Sequence, residues 1–128
     1  MKKNRHIDKV AIIGSGIMGS RIACHFANIG VEVLLLDIVP FDLSEEQKKD
    51  KTIRNSIVND ALKNTLRSKP SPIYSKDFVS RIKTGNLDDD LHKISEVDWI
   101  IEVVVERLDI IKQIFEKIEK HRKEGTLI

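Results

Sequence analysis

Three closely spaced glycines and one aspartate are the residues whose types and spacing could bind a ligand. Gly14, Gly16 and Gly19 follow the pattern G-x-G-x-x-G, and Asp37 stands roughly 20 residues further on. Glycines at this spacing allow a tight turn, bring bare backbone close to a ligand and let a helix pack against a strand. The pattern therefore predicts a diphosphate site, with Asp37 placed to accept hydrogen bonds from a ribose diol.

Two apolar segments and a helix position these residues. Lys9–Ile13 and Val31–Leu36 read as strands, and Ile17–Ile29 has helical periodicity that stops at Gly30. Both strands are continuously apolar, which favours a parallel sheet that is covered on both faces. The free N–H groups and the positive dipole at the helix start would then hold the phosphate charge.

The rest of the chain continues the alternation of strands and helices. A long helix is predicted over Glu45–Arg67, opened by a capping box at Ser44 and Gln47. A short strand over Phe78–Lys83, a turn and short helix over Asn86–Lys93 and a strong strand over Val97–Val105 follow. An amphipathic helix then runs from Ile110 to Ile118 and is ended by Gly125, and a further strand starts at Thr126. Three strong strands alternating with helices predict an α/β fold with a doubly wound parallel sheet.

Composition excludes several classes of function. A net charge of +2 over 128 residues is too small to indicate nucleic-acid binding. No apolar run reaches the roughly 18 residues of a membrane span, and Met1–Arg5 precedes no segment typical of a signal peptide. A single cysteine, Cys24, excludes a disulfide framework and a cysteine-rich metal site. We expect a cytoplasmic protein without a metal site.

The chain resembles the NAD-binding domain of L-3-hydroxyacyl-CoA dehydrogenases, the enzymes of fatty-acid β-oxidation. The resemblance rests on VAIIGSGIMGSRIA, VLLLDIVP, TGNLDDDL at Thr84–Leu91 and DWIIEVVVERLDI at Asp98–Ile110. It is strongest toward large bacterial β-oxidation proteins in which this dehydrogenase is joined to an enoyl-CoA hydratase module. The resemblance implies a Rossmann-type sheet and NAD as the cofactor.

The resemblance also implies particular cofactor contacts. Met18 would lie against the cofactor through its backbone, and Asp37 would take the position of the acid after the second strand. Val104, Val105 and Glu106 would line the nicotinamide half of the site. The predicted cofactor-binding residues are Gly14, Gly16, Ile17, Met18, Gly19, Asp37, Val104, Val105 and Glu106.

Two positions depart from the family pattern. Arg21 stands where the family usually has a small residue, often glycine. Ile111 stands where the family commonly has a cofactor-contacting lysine. Its neighbour Lys112 is turned by about 100° on a helix, so the role of that lysine is not transferred.

The resemblance implies that residues 1–128 are an N-terminal NAD-binding domain that is incomplete at its C-terminus. In the family a His–Glu pair takes the proton of the 3-hydroxyl group, and both residues come after the strand that begins here at Thr126. We therefore expect no catalytic residue among the four histidines, and NAD binding without turnover. The full-length enzyme would oxidise (S)-3-hydroxyacyl-CoA to 3-ketoacyl-CoA and could dimerise through a C-terminal helical domain.

Three different interpretations compete with this one. A 3-hydroxyacid dehydrogenase of the 6-phosphogluconate type shares G-x-G-x-M-G, but it commonly has an arginine after the second strand to hold a 2′-phosphate. Asp37 would repel that phosphate and so favours NAD over NADP. The second interpretation is a non-catalytic NAD-responsive module. The third is an S-adenosylmethionine methyltransferase, which Met18 and Gly19 at the helix start make weaker.

Overall fold

A four-stranded parallel sheet is the centre of the structure, a computed structural model that describes residues 7–40, 43–103, 116 and 118–121. The strands are β1 (Lys9–Ile13), β2 (Glu32–Asp37), β3 (Ile82–Asn86) and β4 (Trp99–Glu102). They lie in the order β3-β2-β1-β4, and each pairing is parallel. Because the strand order reverses direction beside β1, the predicted doubly wound α/β sheet is confirmed.

Helices and 3-10 turns connect the strands. The α-helices with complete bounds are α1 (Ile17–Asn28), α2 (Lys51–Arg54) and α3 (Ser56–Leu66), and residues 116 and 118–121 are also helical. The 3-10 turns are Gln47–Lys49, Lys76–Arg81 and Leu91–Glu96. Among the described residues, no helix combines the length and the apolarity needed to cross a bilayer.

The core has two layers, one on each face of the sheet. Val10 and Ile12 of β1 point toward the face that α1 and α3 cover, together with the fully buried Cys24. Ala11 and Ile13 point toward the opposite face, which the turn Leu91–Glu96 covers. Burial on both faces explains why the strands read as continuous apolar runs. Cys24 is a core residue, and burial raises the pKa of its thiol.

The prediction of one continuous helix over Glu45–Arg67 is wrong, because this segment is divided into a 3-10 turn and two α-helices. The capping box forms, since Ser44 N donates to Gln47 Oε1 over 2.9 Å and Gln47 N donates to Ser44 Oγ over 3.2 Å. It opens only the turn Gln47–Lys49, and Asp50 then caps α2 by accepting a hydrogen bond from Thr52 N. A further break at Asn55 separates α2 from α3.

The predicted strand over Phe78–Lys83 is also wrong in its position. Ser75 Oγ accepts a hydrogen bond from Asp77 N, which starts a 3-10 turn over Lys76–Arg81, and the Arg81 guanidinium lies 4.2 Å from the centre of the Phe78 ring. The strand β3 follows that turn.

The predicted strand over Val97–Val105 corresponds to β4, which begins at Trp99. The predictions for residues 104–115 and 122–128 lie outside the described residues.

A polar network ties the break at Asn55 to the end of β3. The fully buried Asn86 donates through Nδ2 to Asn55 Oδ1 over 2.7 Å and to Asp89 Oδ2 over 2.9 Å. Arg54 donates to both carboxylate oxygens of Asp89, at 2.8 and 2.9 Å. These contacts hold the helical segment α2–α3 against the carboxyl end of the sheet.

The Asp89 carboxylate makes this network sensitive to acid. Its hydrogen bonds with Arg54, and secondly with Asn86, lower the pKa of Asp89 to about 2. A carboxyl whose pKa is lower in the folded state stabilises the fold above its unfolded-state pKa of about 3.9, and that contribution is lost as the pH falls toward about 2. Asp89→Asn should lower Tm near neutral pH, and thermal melts should show this difference shrinking as the pH falls through this window.

The neighbouring Asp88 provides a matched control for that measurement. Its carboxylate lies 3.9 Å from Arg54 and is 58% exposed. Because exposed ion pairs at that distance contribute little, Asp88→Asn should leave Tm almost unchanged. Equal effects of the two substitutions at neutral pH would contradict a specific role for Asp89.

Candidate nucleotide-binding site

Gly14, the first glycine of the pattern, forms the turn that directly follows β1. Gly14 has a φ of 109°, a backbone conformation that favours glycine, and its N–H donates to Leu36 O of β2 over 2.7 Å. The turn thus lies at the carboxyl end of the sheet, next to the point where the strand order reverses. Open α/β sheets bind their ligands in the crevice at this place.

The start of α1 presents bare backbone beside that turn. Gly16 is the N-cap residue, no side chain caps the helix, and its first turn holds no acidic residue. A Cβ atom added at Gly16 would meet no heavy atom within 4 Å. The side chains of Ile17 and Met18 are 78% and 66% exposed. An uncapped helix N-terminus with open space beside its N-cap is suited to receive an anion.

The third glycine is required by the fold itself. A Cβ atom at Gly19 would lie 1.9 Å from Gly14 O and 3.0 Å from Val103 Cγ2. Real Cβ atoms do not approach backbone oxygen so closely, so α1 can pack on the end of β1 only if residue 19 lacks a side chain. This is the close helix–strand packing that the sequence pattern predicts for Gly19.

Asp37 faces the glycine turn from the end of β2. Its Oδ2 accepts hydrogen bonds from Ser15 N over 2.8 Å and from Ser15 Oγ over 2.6 Å. Its Oδ1 accepts one from Ile38 N over 2.7 Å. A carboxylate offers about four lone-pair sites, so these three bonds fix its orientation and leave acceptor capacity for a further donor.

Ser15 is a site residue that sequence reasoning missed. It is fully buried between Gly14 and Gly16, and both its N–H and its hydroxyl bind Asp37. Its carbonyl accepts a hydrogen bond from Ser20 Oγ over 2.6 Å, which ties the turn to α1. The available signal was a small hydroxyl residue inside the glycine pattern, which can bond locally in ways that alanine cannot.

The structure brings one group of the predicted residues together. The residues placed at the glycine turn or facing it are Gly14, Gly16, Ile17, Met18, Gly19 and Asp37. The other three, Val104, Val105 and Glu106, lie outside the described residues, so the nicotinamide half of the site stays a prediction.

Among the other titratable residues, Glu102 at the end of β4 is distinctive. Burial raises the pKa of Glu102, and its Oε1 has no hydrogen-bond partner among the residues that the structure describes. His25 and His92 are exposed. Within the same residues, no three His, Cys, Asp or Glu side chains are grouped so as to hold a metal ion.

The fold and this site define a dinucleotide-binding domain. The family model described as the NAD-binding domain of 3-hydroxyacyl-CoA dehydrogenase matches residues 9–128. The chain therefore belongs to this family, whose cofactor is NAD.

Curated relatives carry names from the same family. A probable 3-hydroxyacyl-CoA dehydrogenase of Bacillus subtilis is 50% identical over 98% of this chain, which covers 17% of that protein. A probable 3-hydroxyacyl-CoA dehydrogenase of Deinococcus radiodurans is 39% identical over 95% of this chain, which covers 33% of that protein. A relative from Rickettsia felis, 43% identical over 95% of this chain and 16% of its own length, carries the name of a fatty acid oxidation complex trifunctional enzyme. The chain thus spans a third or less of each.

Solved structures share the fold. A 3-hydroxybutyryl-CoA dehydrogenase from Escherichia coli is similar with a TM-score of 0.60 and 26% identity, over 96% of this chain and 24% of that one. A diketoreductase gives a TM-score of 0.67 with 23% identity, over 96% of this chain and 41% of that one, and it supports the fold alone.

Proposed function

We propose that this chain binds NAD with its diphosphate on the first turn of α1 and its adenosine ribose at Asp37. The bare backbone at Gly16, Ile17 and Met18 would hold the diphosphate through N–H groups and the helix dipole. The carboxylate of Asp37 would accept a hydrogen bond from the ribose diol. Val104, Val105 and Glu106 would line the nicotinamide half.

One observation carries this proposal. The Asp37 carboxylate lies within 2.8 Å of Ser15 N, between the turn at Gly14 and the uncapped helix start at Gly16. The proposed ribose acceptor would therefore lie next to the proposed diphosphate donors. The residues present fit the group, since the helix start has open space and the carboxylate is held toward it.

The proposed activity of the whole protein is oxidation of (S)-3-hydroxyacyl-CoA to 3-ketoacyl-CoA in fatty-acid β-oxidation. The names of the Bacillus and Rickettsia relatives support this proposal. Bound NAD would supply the hydride acceptor, while this domain supplies orientation and electrostatics. We assign no base to this chain, and we expect residues 1–128 to be an N-terminal cofactor domain that binds NAD without turnover. Dimerisation through a C-terminal helical domain and a cytoplasmic location are parts of the same proposal.

Titration with three nucleotides tests the binding proposal. The 128-residue chain should bind NADH more tightly than NADPH, because the Asp37 carboxylate repels a 2′-phosphate. S-adenosylmethionine, which has no diphosphate, should bind most weakly. Calorimetry or the fluorescence of the reduced nucleotides measures these affinities. Equal affinity for NADH and NADPH would contradict the role of Asp37, and a preference for S-adenosylmethionine would contradict the dinucleotide site.

A further inference from the structure

The chain itself fills most of the hydrogen-bonding sites of the Asp37 carboxylate. Asp37 Oδ2 accepts from Ser15 N over 2.8 Å and from Ser15 Oγ over 2.6 Å, and Oδ1 accepts from Ile38 N over 2.7 Å. Each oxygen of a carboxylate has about two lone-pair sites. Both sites of Oδ2 are therefore filled, and the described residues leave one site open, on Oδ1.

The Ser15 hydroxyl can act on a ligand only through Asp37. Ser15 is fully buried, and its Oγ donates its single hydrogen to Asp37 Oδ2. Its carbonyl accepts a hydrogen bond from Ser20 Oγ, which fixes the backbone that carries the hydroxyl. Asp37 is half-buried, so a ligand can reach the carboxylate but not the serine behind it.

The two backbone contacts alone would treat the carboxylate oxygens alike. Ser15 N and Ile38 N bind one oxygen each, so without the Ser15 hydroxyl each oxygen would keep one open site. The hydroxyl is therefore the group that makes the two oxygens unequal. Any residue other than proline supplies an N–H at position 15, so this inequality depends on the serine side chain.

We propose that Ser15 is a positioning residue that restricts Asp37 to one hydroxyl group of the adenosine ribose. This inference rests on the proposed function. The ribose has two neighbouring hydroxyl groups, and a carboxylate with a site open on each oxygen would accept one hydrogen bond from each. Here the Ser15 hydroxyl fills the remaining site on Oδ2 and holds that oxygen toward the buried turn. Only Oδ1 is left to accept a hydrogen bond from the ribose.

Two analogues of NADH test this inference, one lacking the 2′-hydroxyl and one lacking the 3′-hydroxyl of the adenosine ribose. With the parent chain, one analogue should bind like NADH, and the other should show a Kd about tenfold higher, on the scale of one charge-assisted hydrogen bond. In Ser15→Ala each oxygen of Asp37 has an open site. The ratio between the Kd values of the two analogues should therefore fall by at least about threefold. Fluorescence titration of the reduced nucleotides measures each Kd.

Ser20→Ala is the matched control. Ser20 is also fully buried, and its hydroxyl donates to Ser15 O rather than to Asp37. This substitution removes the same kind of atom beside the same turn, but it should leave the ratio between the two analogues at the value of the parent chain. Because each ratio compares two ligands on one variant, a partial loss of folded protein cancels from it.

The results that would overturn the inference differ in what they mean for the proposed function. If both analogues bind the parent chain equally more weakly than NADH, Asp37 holds both hydroxyl groups, so the inference fails and the proposed function stands. The same holds if Ser15→Ala keeps the ratio of the parent chain, or if Ser20→Ala lowers it as much. If the parent chain binds both analogues as tightly as NADH, or does not bind NADH, the proposed ribose contact fails and the inference fails with it.

Discussion

Asp37→Ala should weaken NADH binding by about 1–3 kcal/mol, or about 5- to 150-fold in Kd, because a charge-assisted hydrogen bond to the ribose is lost. The carboxylate lies on the same surface as the uncapped start of α1. The loss should appear for NADH, whose adenosine ribose has both hydroxyl groups free. Titration of the parent and variant chains at one salt concentration measures it.

The same substitution should narrow the discrimination between NADH and NADPH. With the carboxylate removed, nothing at this position repels the 2′-phosphate, so the ratio of the two affinities should move toward one. Asp60→Ala is a suitable control, since Asp60 is an exposed carboxylate on α3. Unchanged NADH affinity in a folded Asp37→Ala chain would remove Asp37 from the site.

Folding must be checked in this variant because Asp37 also has a structural role. It accepts hydrogen bonds from Ser15 N, Ser15 Oγ and Ile38 N, and alanine would leave these donors without their partner. Asp37→Asn keeps an acceptor oxygen while it removes the charge. If the asparagine variant keeps Tm and still loses NADH affinity, the loss belongs to the ligand contact rather than to the turn.

The strands next to the site could be predicted from the sequence because their signal is local. The bounds Lys9–Ile13 match β1, and the predicted strand Val31–Leu36 differs from β2 (Glu32–Asp37) by one residue at each end. A strand that is buried on both faces must be apolar at every position, and a glycine must follow where the chain turns sharply. Both requirements can be read from adjacent residues.

The elements farther from the glycines depended on long-range contacts. The buried Asn86 binds Asn55 across 31 positions of the chain, and the helical segment is interrupted at that residue. The sequence of β3, IKTGN, contains residues that are poor in strands, yet it pairs in register with Val33–Asp37 of β2. Tertiary pairing therefore overrides local preference at both places.

Within the site, the backbone could be predicted better than the side-chain contacts. The glycine spacing and Asp37 pointed to one surface, and the structure places them together. The double hydrogen bond from Ser15 to Asp37 was missed because serine inside a glycine pattern also serves simply as a small residue. Whether Ser15 reaches Asp37 depends on the distance between the ends of β1 and β2, and only the assembled sheet fixes that distance.

The glycine pair Gly16 and Gly19 should separate what the ligand requires from what the fold requires. A Cβ atom at Gly19 would overlap Gly14 O, so Gly19→Ala should lower the stability of the fold by about 1–3 kcal/mol, the cost of overpacking. A Cβ atom at Gly16 meets open space, and the φ of −55° there suits alanine. We expect Gly16→Ala to change the unfolding free energy by less than about 1 kcal/mol, since a weaker N-cap is offset by lower entropy of the unfolded chain.

Gly16→Ala, which should hardly affect stability, should have a large effect on NADH binding. The proposed diphosphate lies against the bare backbone of Gly16, so a methyl group there should raise Kd for NADH by at least about tenfold while Tm stays near that of the parent chain. Thermal melts and NADH titrations on both variants measure the two effects. A Gly16→Ala chain that binds NADH as tightly as the parent would show that the diphosphate does not approach this residue. The presence of glycine at position 16 would then be explained neither by the fold nor by the ligand.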